Sequence, residues 1–142
     1  MQIRTHTIEL STRGYSDIHD LTPQVTDLLS SAGLQEGSVL IFVPGSTAGV
    51  TTIEFESGVL ADLRDALDRL VPTDIAYAHD ARWGDGNGFS HIRAALLKPN
   101  LEVPVAGGRL LLGTWQQLVL IDCDNGSRRR SVICQLRGIF QE

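Results

Sequence analysis

The sequence predicts an α+β fold, with mostly antiparallel sheets in a β-sandwich-like core and about three helices. Three observations predict it. Strand-like and helix-like segments follow in the order β-α-β-α-β-α-β-β, which is not a strict βαβ repeat. The chain from residue 109 onward reads almost wholly as strand. Its first run is apolar on both parities, with Leu110, Leu112, Leu118 and Leu120 against Leu111, Val119 and Ile121. Such a run is buried on both faces, against helices on one side and another sheet or subunit on the other.

Length and composition bound the rest. The 142 residues are 42% hydrophobic and 20% charged, with a net charge of −5. They fit a single domain over 1–142 and leave little room for two. The mildly acidic balance argues against a nucleic-acid partner. No apolar run approaches the roughly 18 residues of a membrane span, and MQIRTHTIEL has no signal-peptide pattern. A soluble, cytoplasmic protein with no membrane partner is the expectation.

Residues 2–10 alternate loosely and are rich in Ile and Thr, as in a strand. Thr22 reads as a helix N-cap with Pro23 at the first helical position. Val25, Leu28, Leu29 and Ala32 follow at helical spacing, and Gly33 supplies the stop. Residues 38–43 form a short buried strand, and 44–52 a loop entering another. Val59, Leu63, Ala66, Leu67 and Leu70 line a second helix, closed by Pro72. Residues 74–79 read as a short strand and 82–88 as a loop. A third helix follows, with Phe89, Ile92, Ala95 and Leu96 on one face and Asn87 as its cap. Strands over 109–123 and 129–140 flank an Asn125-Gly126 hairpin turn. Cys123 and Cys134 are not neighbours in that hairpin, so both are expected as small buried apolar residues, without a disulfide.

Polar residues concentrate in three segments: 45–54, 79–91 and 113–130. His79 and His91 are the first candidates for metal ligands or proton carriers, because imidazole does both near neutral pH. Two structural, hydrogen-bonded histidines are the alternative. Glu54 is a candidate ligand or general base, or else a solvated carboxylate. Asp85 and Asn87 can orient a ligand, or satisfy a Gly-rich turn and cap a helix. The segment with Ser46 and Thr47 can present backbone N–H groups to an anion, although it lacks the Lys and spacing of a phosphate loop. Arg128 and Arg130 can bind phosphate. Alternation along a strand lets only some of Arg128–Arg130 converge. Trp115 and Gln116 read as mid-strand residues.

Together, GSTAGVTTIE, His79, GDGNGFSHIRAALL and VPVAGGRLLLGTWQQLVLIDCDNGSRRRSV resemble the YjbQ-like family, often named secondary thiamine-phosphate synthase. The HDLTPQV segment resembles that family's helix entry, so the likeness covers nearly the whole chain. The resemblance implies a compact α+β domain assembled as a homotrimer. It implies a weak thiamine-phosphate synthase activity, which joins a pyrimidine diphosphate to a thiazole phosphate and releases pyrophosphate. It also implies a polar cluster holding an anion or a zinc-like divalent ion through histidines of three motifs. His79 and His91 match two of them, and Glu54 and Asn87 match other family positions. The catalytic candidates are therefore Glu54, His79 and His91. The substrate-binding candidates are Ser46, Thr47, Asn87, Gln116, Arg128 and Arg130. The third histidine is replaced by Gly45, and the Asn that precedes the family's Glu by Ile53. A diverged, non-catalytic trimer that binds a small molecule or anion is the alternative reading.

Overall fold

The computed structural model describes residues 1–142. The chain runs β1 (Gln2–Thr12), β2 (Asp17–Asp20), α1 (Thr22–Ala32), β3 (Leu34–Phe42), β4 (Ala48–Ile53), α2 (Ser57–Leu70), α3 (Ala78–Trp83), α4 (Gly88–Leu97), β5 (Asn100–Ala106), β6 (Arg109–Leu110), β7 (Gln117–Asp122) and β8 (Arg128–Phe140). A five-stranded sheet has the order β1-β8-β3-β5-β6, and a three-stranded sheet the order β2-β7-β4. All the pairings are antiparallel. The α+β, sandwich-like architecture is as expected, with four helices in place of about three.

The main core lies between the sheets. Val39, Ile41 and Leu136 of the larger sheet meet Val50, Leu118 and Leu120 of the smaller one, and Val25 and Leu29 of α1 join them. The other face of β7 sends Val119 and Ile121 toward Leu60 of α2 in a second cluster. The two-sided apolarity of the β7 sequence is therefore satisfied within the chain: a sheet covers one face, helices the other. Cys123 and Cys134 are free and buried. Burial pushes their thiols up, to about 12 and about 11.

Several local expectations change. The long strand over 109–123 is broken, because Gly113–Gln116 forms a turn between β6 and β7. Trp115 is 73% exposed there, not a core residue. Residues 74–79 make no strand; α3 begins at Ala78 instead. The Asn125-Gly126 turn closes no hairpin, since β7 and β8 belong to different sheets. Thr22 does not cap α1: its hydroxyl accepts the Leu118 N–H at 2.9 Å, tying the helix entry to β7. Gly33 does end α1, in the left-handed conformation. On α4, Ile92 and Leu96 are exposed, whereas Phe89, Ser90, Arg93 and Ala94 are buried. Arg93 is only 1% exposed. It donates to the Val71 carbonyl, Ser16 and Asp68, so it fastens α4 to the end of α2.

Two connections cross between the sheets at the same end of the sandwich, residues 43–47 from β3 to β4 and 123–127 from β7 to β8. The Cys123 N–H donates to the Thr47 carbonyl at 2.9 Å, which locks them side by side. α3 and the start of α4 lie beside this end. α4 can approach β4 because position 49 is glycine: a Cβ there would lie 2.7 Å from Leu97 Cβ and 2.9 Å from the Lys98 carbonyl. The contact is sealed by the Val50 N–H donating to Lys98.

Candidate functional site

The crossing loops and α3–α4 enclose a polar cleft of about 410 Å³, within the range of small-molecule sites. Each of its walls pairs basic with acidic side chains. One wall is built by β7 and β8. Asp122 ends β7 and Asp124 lies two residues on in the crossing loop, whereas Arg128 and Arg130 alternate on β8 and so share a face. Arg130 grips Asp122 with two bonds, Nε to Oδ2 at 2.7 Å and Nη2 to Oδ1 at 2.9 Å. Its Nη2 also donates to the Thr47 hydroxyl at 2.7 Å. Thr47 donates onward to Asp124 at 2.9 Å, and Arg128 Nε donates to the same carboxylate oxygen at 2.9 Å. Asp122 and Asp124 are buried, and Arg130 is 8% exposed. Burial alone would raise the Asp124 pKa. Hydrogen bonds from Thr47, the Asn125 N–H and Arg128, with the Arg128 charge, prevail and hold it below the usual carboxylate range.

The opposite wall comes from α3 and α4. The rings of His79 and His91 lie 4.4 Å apart, tilted by 40°. His79 Nδ1 sits 3.4 Å from a carboxylate oxygen of both Asp80 and Asp85. Asp80 in turn accepts the Gly88 N–H at 2.8 Å, which fixes α3 against the start of α4. In the orientation that its surroundings require, the Asn87 amide nitrogen donates to both Asp85 oxygens, at 3.0 and 3.2 Å. Asn87 therefore holds Asp85 rather than capping α4 with its side chain.

Most of the expected residues meet here: Ser46, Thr47, His79, Asn87, His91, Arg128 and Arg130 all line the cleft. Arg129 instead turns outward toward Glu9. Two others lie elsewhere. Glu54 follows the far end of β4, roughly 20 Å along the strand from Thr47 at ordinary strand rise. Gln116 is at that same far end, donating to the Thr52 hydroxyl at 3.2 Å. Within one chain, neither reaches the histidines. Two contributors were not singled out from the sequence, Trp83 and Asp124 on the lining, while Asp80 of the polar 79–91 segment stands behind His79. The signal for Asp124 is present, since two aspartates at alternate positions close an otherwise apolar run of sequence.

A divalent ion needs converging donor atoms. His79, Asp80 and Asp85 supply three within 4.8 Å of one another. A mixed nitrogen and carboxylate set suits such an ion. His91 is outside this group and meets His79 ring to ring.

The family model described as UPF0047 protein, YjbQ-like, matches residues 6–139. A UPF0047 protein of Mycobacterium tuberculosis is 44% identical over 115 residues, covering 81% of this chain and 84% of that protein. One from Methanothermobacter thermautotrophicus is 35% identical over 138 residues, covering 97% and 94%. Among solved structures, a YbjQ-like protein of unknown function from Sulfolobus solfataricus superposes with a TM-score of 0.91 at 28% identity, covering 97% of this chain and 99% of that one. A hypothetical protein from Aeropyrum pernix gives 0.88 at 28% identity, covering 96% and 99%.

Proposed function

Since the chain belongs to the YjbQ-like UPF0047 family, we propose that its polar cleft binds a small phosphorylated molecule and acts on it by acid–base chemistry. The observation that carries this reading is the meeting of two arginines and two histidines, from β8, α3 and α4, in one 410 Å³ cleft. Asp122 and Asp124 largely balance the arginine charges. Affinity for an anion then comes from directional donors more than from net charge. The carboxylates beside His79 Nδ1 favour a proton on that nitrogen and leave Nε2 as the acid–base atom, the arrangement of an oriented imidazole. Ser46 is exposed at the mouth and is a further donor. A zinc-like divalent ion would be held by His79, Asp80 and Asp85, and would supply polarisation of a phosphoryl oxygen.

The family resemblance makes condensation of a pyrimidine diphosphate with a thiazole phosphate the first reaction to assay. Pyrophosphate release by purified protein, with and without added zinc, is the measurement. His79→Ala and His91→Ala are each expected to lower the rate by about 100-fold or more, the usual share of a general acid or base. Unchanged rates in both variants would overturn the catalytic reading. A non-catalytic binding protein is the second reading. It is favoured by Gly45 and by the distance of Glu54 from the cleft. Phosphate binding without turnover in the unmodified protein would establish it.

We also propose a homotrimer. Its support is the exposed apolar surface of α4 and the β6–β7 turn, where Ile92, Leu96, Leu111 and Trp115 are 48–73% exposed. A trimer would also bring groups such as Glu54 and Gln116 from one subunit within reach of another's surface.

A further inference from the structure

Beside the polar cleft lies a second hollow of about 200 Å³, with a mostly apolar lining from Ala48, Ala94, Ala95 and Pro99. The two share Gly45, Ser46 and His91. Gly45 is therefore the ridge between them, and it carries no side chain. Its φ is +122°, a backbone state that L residues rarely adopt. A Cβ at position 45 would meet one atom within 4 Å, Arg130 Nη1 at 3.1 Å. That nitrogen is the one arm of the guanidinium not spent inside the protein. Nε and Nη2 are bonded to Asp122 and Thr47, whereas Nη1 makes no hydrogen bond. A side chain that is 10% exposed thus directs an unpartnered donor at the gap above Gly45.

We propose that the cleft and the hollow are one bipartite site, for a phosphomonoester whose organic part is a single compact apolar ring. This rests on the phosphate-binding reading above and names the ligand class. The phosphate oxygens accept from Arg130 Nη1 and from Arg128, the only two cations of the wall. The ring crosses the bare backbone of Gly45 and packs between the alanines and the His91 face. An apolar cavity of ~150 Å³ suffices for benzene, so a 200 Å³ hollow suits one ring. Gly45 is the specificity-determining residue, because any side chain there covers Nη1 and blocks the crossing.

Phenyl phosphate and inorganic phosphate, titrated calorimetrically into the full chain, distinguish the parts. Phenyl phosphate is expected to bind about ten-fold more tightly, from the extra buried apolar area. Ala95 is exposed on α4, so Ala95→Leu fills the hollow without disturbing the core. It is expected to bring the two affinities together while leaving that for inorganic phosphate unchanged. Gly45→Ala, with its fold checked by circular dichroism, is expected to weaken both. Equal affinities in the unmodified protein, or a preference that survives Ala95→Leu, would overturn the bipartite site while leaving phosphate binding intact. No binding of either compound would overturn the phosphate reading together with it.

Discussion

Asp124 has the most to lose from a change of protonation. It is 1% exposed and accepts from Thr47, Arg128 and the Asn125 N–H. Because its folded pKa lies below the unfolded one, the unfolded chain binds more protons at mildly acid pH. Its contribution is therefore complete above the ordinary carboxylate range, and is lost as pH falls through about 4 and below. Asp17, held low by His19 and the Arg13 N–H against its burial, acts in the same direction. Asp124→Asn is expected to cost about 1–3 kcal/mol at pH 7, the worth of hydrogen bonds to a buried charge. Denaturant titrations of variant and parent should converge as the pH is lowered toward 3. A constant difference across that range would show that the charge is not what matters. At this scale the sequence was informative where chemistry was clustered. His79, His91, Arg128 and Arg130 were all visible as candidates, and alternation correctly left one arginine of the triple outside. Glu54 shows what sequence does not give, since the length of β4 separates it from Thr47 and the cleft.

Elements place the histidines, and the docking of α4 on β4 is the decisive contact. A β-branched side chain at position 49 would enter the space of Leu97 Cβ and the Lys98 carbonyl. Gly49→Val is expected to cost about 1–3 kcal/mol by overpacking and to shift the helix that carries His91. Lower thermal stability together with weaker phosphate binding is the expected outcome. Weaker stability with unchanged binding would mean that α4 keeps its place at the cleft. Segments with clear periodicity, α1, α2 and the strand within 38–43, were legible from sequence. The short α3 was not, since six residues give less than two turns of periodicity and DIAYAH alternates like a strand. On α4, buried Arg93 hid the inward face: a charged residue occupies the position where an apolar one would have signalled it.

For the whole molecule, one central strand serves two cores. β7 faces the larger sheet with Leu118 and Leu120, and α2 with Val119 and Ile121. The sequence announced the double burial but not that the chain would satisfy both faces itself. The interface of the proposed trimer would then use other surface, where Trp115 is the most exposed large apolar side chain after Met1 and Leu70. Multi-angle light scattering is expected to give a trimer at micromolar concentration, and Trp115→Glu to shift it toward monomer. A monomeric unmodified protein would remove the trimer. No helix is long and apolar enough to cross a membrane.

The conformation of Gly45 bears on which side chains this position can accept. At φ +122°, with Arg130 Nη1 beside it, a histidine at that position meets backbone strain and a cation at once. A histidine substituted at this point is thus not a simple side-chain exchange. The backbone of the crossing loop and the arginine would have to move with it. The gap above position 45 is thus kept open twice over, by a backbone that resists other residues and by an arginine that leaves them little room.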